Sequence, residues 1–310
     1  MLAEHYANHV EQAYRENLRL GELEYRERRL YLYSRPRCLA LVLGNSCNID
    51  CLHCYQSHTG EALLSPPAIG AELRRELAAF YPYLSTLRLQ GGEEFALPGF
   101  SELVDEVAAA AARPILSVST NGTLIDERWA ERLVRTPFAT VTFSIDGATS
   151  ATFNRLRRGA DLGEVLEAVD RVTRWKQRLS SELPHLDAFF VVMRSNFREI
   201  PAYLELMDRH GMIDVTLQTL ELSEPNRRRT PSLETAESIT TRGEAVELHA
   251  ILAEALPRFR SRFRVLRTSG LRSLFEAHGL DAAFLEEESR GLYPDSDGLA
   301  ADGSFELCPN

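Results

Sequence analysis

Six short apolar runs, each followed by a stretch of helical spacing, constrain this 310-residue chain more than any other feature. They are "CLALVLG" (38–44), "TLRLQG" (86–91), "PILSVST" (114–120), "ATVTFSI" (139–145), "DAFFVVM" (187–193) and "IDVTLQT" (213–219). Near-continuous runs of Val, Leu and Phe read as strands buried on both faces. Between them, apolar residues recur along single helix stripes: Ile69, Leu73, Leu77 and Phe80, then Phe100, Leu103, Val104 and Val107. Leu162, Val165, Leu166, Val169 and Val172 form a third stripe, and Ile200, Tyr203, Leu204 and Met207 a fourth. Asp126 is placed to cap the helix in "DERWAERLV", and Gly211 to end the fourth stripe's helix. Repeated β–α alternation implies an α/β chain with a parallel sheet and right-handed crossovers. Periodicity alone leaves open whether that sheet is doubly wound or rolled into a barrel.

The flanks read differently. Residues 1–36 form a charged N-terminal helical extension that ends in a strand-like "LYLY". The core spans 37–220. The stretch 221–243 is polar, carries the basic run Arg227–Arg229, and breaks the rhythm, which makes it a long loop and a candidate lid. Residues 244–310 begin with a helix near 244–256 and a shorter one ending near Gly279, and finish in a turn-rich tail. A net charge of −10 and a pI near 5.4 argue against nucleic acid or an anionic membrane as the main partner. No apolar run is long enough to span a bilayer, and the first residues lack the apolar core of a secretory signal. The expected location is the cytoplasm, where thiols stay reduced and clustered cysteines are metal ligands more often than disulfides.

Three of the five cysteines, Cys47, Cys51 and Cys54, fall directly after the first strand in "GNSCNIDCLHCYQ". The C-terminal end of a strand is where parallel α/β folds build their ligand sites. Thiolates favour zinc or iron–sulfur centres. A closed zinc site needs four ligands, and the nearby His53 and His58 are poorly placed or unsupported as the fourth. A 4Fe–4S cluster held by three cysteines, with one iron left open, accounts for the number better.

The spacing C-x3-C-x2-C, with His53 in the position before the last cysteine, resembles the signature of the radical SAM superfamily. Other motifs agree over roughly residues 38–220. "GGEE" (91–94) is similar to the family's GGE motif, with Glu94 where a proline is usual. "SVSTNGT" (117–123) and "TFSIDG" followed by "FNRLRRG" resemble its later segments. The resemblance implies a partial (β/α)6 barrel that holds a 4Fe–4S cluster and S-adenosyl-L-methionine. It implies that Cys47, Cys51 and Cys54 bind the cluster. Gly91, Gly92 and Glu93 would hold the methionine ammonium. Ser119, Asn121, Ser144 and Arg157 would reach the ribose or carboxylate, with Arg158 the alternate to Arg157. It further implies a one-electron reductant of flavodoxin or ferredoxin type, and a 5′-deoxyadenosyl radical acting on a peptide or natural-product substrate. The alternatives are a sugar, nucleoside or amino-acid derivative as substrate, or a non-catalytic iron–sulfur or zinc protein. "FELCPN" (305–310) resembles the first cysteine of the SPASM or twitch extension of that superfamily. Cys38, opening the first strand, reads as a small buried hydrophobe.

Overall fold

The computed structural model describes residues 2–54, 69–112, 114–220 and 236–285, with side chains of the first helix described from residue 11. The six apolar runs become the strands β1 (Cys38–Val42), β3 (Thr86–Gln90), β4 (Ile115–Thr120), β5 (Phe138–Ser144), β7 (His185–Val192) and β8 (Asp214–Thr219). Two two-residue strands, β2 (Asp50–Cys51) and β6 (Arg157–Arg158), pair with each other outside the main sheet. A seventh sheet strand, β9 (Val265–Ser269), extends the ladder in parallel with β8. The order is β1-β3-β4-β5-β7-β8-β9, all parallel, and among the described residues the ladder runs from β1 to β9 without closing on itself. The architecture is therefore an α/β partial barrel with one strand more than the apolar runs announced.

The strands are not buried on both faces, as their composition suggests. They alternate. Leu87 and Leu89, Leu116 and Val118, Val141 and Phe143, Phe190, Val215 and Leu217 are at most 2% exposed. Each such side chain is worth about 1.5–3 kcal/mol of burial. The intervening residues, among them Gln90, Ser117, Ser119, Thr142, Ser144, Phe189 and Gln218, are only partly buried, and Arg88 is exposed. A barrel needs this division, because one face carries the helices and the other lines the interior.

The helices between strands are α2 (Ala71–Ala78), α3 (Phe100–Ala109), α4 (Glu127–Arg135), α5 (Ser150–Leu156), α6 (Leu162–Leu179), α7 (Ile200–Arg209) and α8 (Arg242–Phe259); α9 (Leu271–Ala277) follows β9. The stripes of α3, α6 and α7 are buried, with Leu166 only partly so, whereas Leu73 on the short α2 is 40% exposed. The Asp126 side chain accepts from Trp129 N at 2.8 Å, capping α4, and Gly211 takes a left-handed φ of 70° after α7. Thr241 and Glu244 form a reciprocal capping box that opens α8.

The N-terminal helix α1 (Leu2–Arg26) is present, but "LYLY" forms no strand. Leu30, Tyr31, Leu32 and Tyr33 are 64–94% exposed. The buried Glu24 accepts from the amides of Tyr33 and Ser34 at 2.6 and 3.2 Å, so a carboxylate takes the donors a sheet would need. Cys38 is exposed rather than buried, because β1 is an edge strand. Residues 221–235 of the candidate lid, together with His58 and Cys308, lie outside the described residues.

Candidate cofactor site

The cysteine loop is pinned on two sides. On one, β2 pairs antiparallel with β6, setting Asp50 opposite Arg158 and Cys51 opposite Arg157, and Leu52 N donates to Leu156 O at 2.8 Å. On the other, it lies against the Gly-Gly turn after β3. Gly92 N donates to Gly44 O at 2.8 Å, and Glu93 N to Ser46 O at 2.9 Å. A Cβ on Gly92 would sit 1.9 Å from Ser46 O, and one on Gly91 would sit 2.4 Å from Gly44 O. The glycines are required because the cysteine loop passes directly over them. The turn seats the cysteines in addition to bordering the cavity.

That cavity, of about 530 Å³, opens at the C-terminal ends of the first strands. Cys47, Cys51 and Cys54 all line it, together with Gly91, Gly92, Ser119, Asn121, Ser144 and Arg157. Glu93 does not. It is fully buried behind the wall, where its carboxylate accepts from Thr120 Oγ1 and from Asn121 N, both at 2.7 Å. Burial pushes its pKa up to about 7, against the pull of these hydrogen bonds. Glu93 therefore ties the turn after β3 to the end of β4, and positions Asn121 instead of reaching the cavity. Asn121 in turn donates to Cys47 Sγ at 3.7 Å and to Asn48 Oδ1 at 2.9 Å. Glu94, in the place of the usual proline, is also fully buried, and neither carboxyl oxygen has a hydrogen-bond partner among the described residues. Burial, with Glu93 adjacent, pushes its pKa up to about 8.

The register of "RLRRG" is resolved by β6. Arg157 points inward and is buried, while Arg158 lies outside, half exposed, with Nη2 3.3 Å from Asp50 Oδ2. Arg157 holds Asp146 through Nε and Nη2, each 2.7 Å from Oδ2, and donates through Nη1 to Cys51 Sγ at 3.7 Å. Asp146 is a hub: its other oxygen accepts from Val191 N at 2.7 Å, and His53 Nε2 lies 3.2 Å from Oδ2. Burial would raise the Asp146 pKa, but Arg157 and His53 outweigh it and hold the carboxyl near 2. Asp146 thus shapes the site through an ion pair as well as through its turn.

Arg88, Gln90, Thr142, Phe189 and Gln218 also line the cavity, and the motifs did not single them out. Their signal is alternation: on β3 and β5, Arg88 and Gln90, then Thr142 and Ser144, alternate with the buried apolar Leu87 and Leu89, Val141 and Phe143. His53, passed over as a zinc ligand, lines the cavity as part of the Asp146 network.

Among the described residues, no three His, Cys, Asp or Glu side chains converge tightly enough to hold one metal ion. Three cysteines around a common cavity suit instead a polynuclear centre, in which each sulfur binds its own iron. Burial pushes the Cys51 pKa up to about 12 despite Arg157, and raises that of Cys47 as well. A metal centre bound here would have to displace those protons.

The Radical SAM superfamily model matches residues 41–184. Mycofactocin maturase MftC of Mycobacterium ulcerans is 29% identical over 181 residues, covering 57% of this chain and 45% of that protein. GTP 3',8-cyclase of Caulobacter vibrioides is 26% identical over 196 residues, covering 62% of this chain and 54% of that protein. The chain thus spans about half the length of the curated relatives it matches. In fold it resembles Streptococcus suis SuiB bound to precursor peptide SuiA, with a TM-score of 0.60 at 11% identity over 88% of this chain and 58% of that one. Parallel strands around a cavity, three cysteines on the loop after the first strand and the sequence match converge, and residues 41–184 are a domain of the radical SAM superfamily.

Proposed function

We propose that this chain is a radical SAM enzyme of the SPASM/twitch-like branch that acts on a peptide or natural-product substrate. In this reading Cys47, Cys51 and Cys54 hold a 4Fe–4S cluster and the cavity beside them takes S-adenosyl-L-methionine. The single observation that carries it is the convergence of the three cysteine sulfurs with Gly91, Gly92, Ser119, Asn121, Ser144 and Arg157 on one cavity. When bound, the cluster and S-adenosyl-L-methionine supply one-electron cleavage to a 5′-deoxyadenosyl radical, with the electron drawn from a flavodoxin- or ferredoxin-type partner in the cytoplasm. The chain's own residues perform the rest. The Gly-Gly turn and β6 fix the cysteine loop, so that Cys47, Cys51 and Cys54, which would hold the cluster, line the cavity. Ser119, Asn121 and Ser144 offer neutral hydrogen-bonding groups at strand ends. The partly enclosed interior shields a reactive carbon from solvent.

The peptide reading leans on the maturase among its relatives. The nucleotide cyclase among them supports the alternative of a small-molecule substrate. Anaerobic reconstitution tests the core of the proposal. The expected result is about four irons per chain, and 5′-deoxyadenosine formed on adding dithionite and S-adenosyl-L-methionine. Changing all three cysteines to alanine should abolish both. A colourless protein with one bound zinc would show a non-catalytic metal site instead.

A further inference from the structure

We infer that Arg157, counterbalanced by Asp146, tunes the reduction potential of the iron–sulfur centre through Cys51, an inference that rests on the cluster-binding reading above. Arg157 is a positioning and tuning residue here. It spends two of its nitrogens on Asp146, each at 2.7 Å from Oδ2, and aims the third at Cys51 Sγ, 3.7 Å away. It has little freedom to do otherwise. Its backbone lies opposite that of Cys51 in the β2–β6 pair, so donor and acceptor face each other on one short ladder. Its partner Asp146 is fixed from three further directions. Val191 N donates to Oδ1 at 2.7 Å, His53 Nε2 stands 3.2 Å from Oδ2, and Asn196 Nδ2 donates to the Asp146 carbonyl at 3.0 Å. The Asp146 side chain is fully buried and that of Arg157 is 8% exposed.

Reduction adds one negative charge to a cluster. A cationic N–H donor on a ligand sulfur stabilises the reduced form and raises the potential, and burial keeps that effect from being screened. The guanidinium donates directly to the sulfur, whereas the carboxylate is held on the guanidinium's other nitrogens. Its positive charge therefore dominates, and Asp146 damps it. Among the described residues the donors to Cys47 are neutral, Asn121 Nδ2 at 3.7 Å and the backbone of Ile49. The two cysteines are thus supported unequally, and the charged support falls on Cys51.

The arrangement makes predictions of opposite sign for the two partners. Reconstituted chains of all 310 residues, without S-adenosyl-L-methionine, are titrated with EPR detection of the reduced cluster. Arg157→Gln should make one-electron reduction about tenfold less favourable, a midpoint about 59 mV lower. Asp146→Asn should shift the midpoint upward. Arg157→Lys, which keeps the charge, should stay nearer the wild type than the glutamine variant. Because either partner's loss could prevent folding, a second measurement uses the wild-type sequence labelled with 15N-arginine. Pulsed EPR should show a weakly coupled arginine nitrogen at the reduced cluster. Unmoved midpoints, two shifts in the same direction, or no arginine coupling would overturn this inference alone. A wild-type chain that takes up no iron would overturn the cluster reading and this one with it.

Discussion

Two adjacent arginines separate what a sequence shows from what only a fold can show. "RLRRG" offers Arg157 and Arg158 with the same chemistry one position apart, and nothing in the spacing says which turns inward. The two-residue pairing with the cysteine loop decides it, since neighbouring residues of a strand point to opposite faces. The energetic consequence is large. Arg158→Ala removes a half-exposed surface pair with Asp50 and should cost under about 1 kcal/mol. Arg157→Ala leaves Asp146 charged, buried and without its main partner, and should cost about 3–5 kcal/mol. Urea unfolding of the two metal-free variants measures the difference, and equal midpoints would contradict the assignment. The cysteines and the Gly-Gly turn were legible because their residue types have few alternative uses in that pattern. Glu93 was legible as a site residue, but its place behind the wall was not. Only the fold shows that its carboxylate is spent on Thr120 and Asn121 behind the cavity wall.

At the scale of elements, the six strands were legible from their apolar faces, and β9 was not. "VLRTS" has only two apolar residues, and it joins β8 after an 18-residue helix that dominates the pattern of that region. "LYLY" failed in the opposite direction, since strong strand propensity does not make a strand where Glu24 already holds the amides of Tyr33 and Ser34. The contact between the Gly-Gly turn and the cysteine loop is the element-level feature on which the site depends. Gly92→Ala forces a methyl against Ser46 O, and either strand β3's turn or the cysteine loop must move. The expected cost is about 1–3 kcal/mol, with iron uptake reduced even where the fold survives. Gly243→Ala is the matching control. That glycine lies exposed in the first turn of α8 with nothing within 4 Å of its added Cβ. It should gain up to about 1 kcal/mol and leave iron uptake unchanged. Thermal unfolding and iron content of the two alanine variants check both halves.

For the whole molecule, the buried carboxyls set how stability depends on pH. Glu93 and Glu94 have native pKa values of about 7 and about 8, both pushed up by burial from an ordinary 4.5. Between those limits the folded chain holds protons that the unfolded chain has released. Stability therefore falls as pH rises through that window, by at most about 1.4 kcal/mol per pH unit for each group. Asp146 acts in the other sense. Its carboxyl is held near 2 in the fold, so the stability it contributes is present above pH 3.8 and is lost as the solution is acidified toward 2. These carboxyls thus pull in opposite directions, Asp146 favouring the fold above the acid range and Glu93 and Glu94 favouring it below neutral pH. Glu94 is the cleaner of the two raised groups to test, because neither of its oxygens is engaged by a donor among the described residues, whereas replacing Glu93 would also break its bonds to Thr120 and Asn121. Glu94→Gln mimics the neutral form at every pH. Its melting temperature should match the wild type near pH 5 and exceed it by several degrees at pH 8, a range that stops short of the thiol titrations. A glutamine variant that loses stability with rising pH as steeply as the wild type would mean that Glu94 is already ionised in the fold.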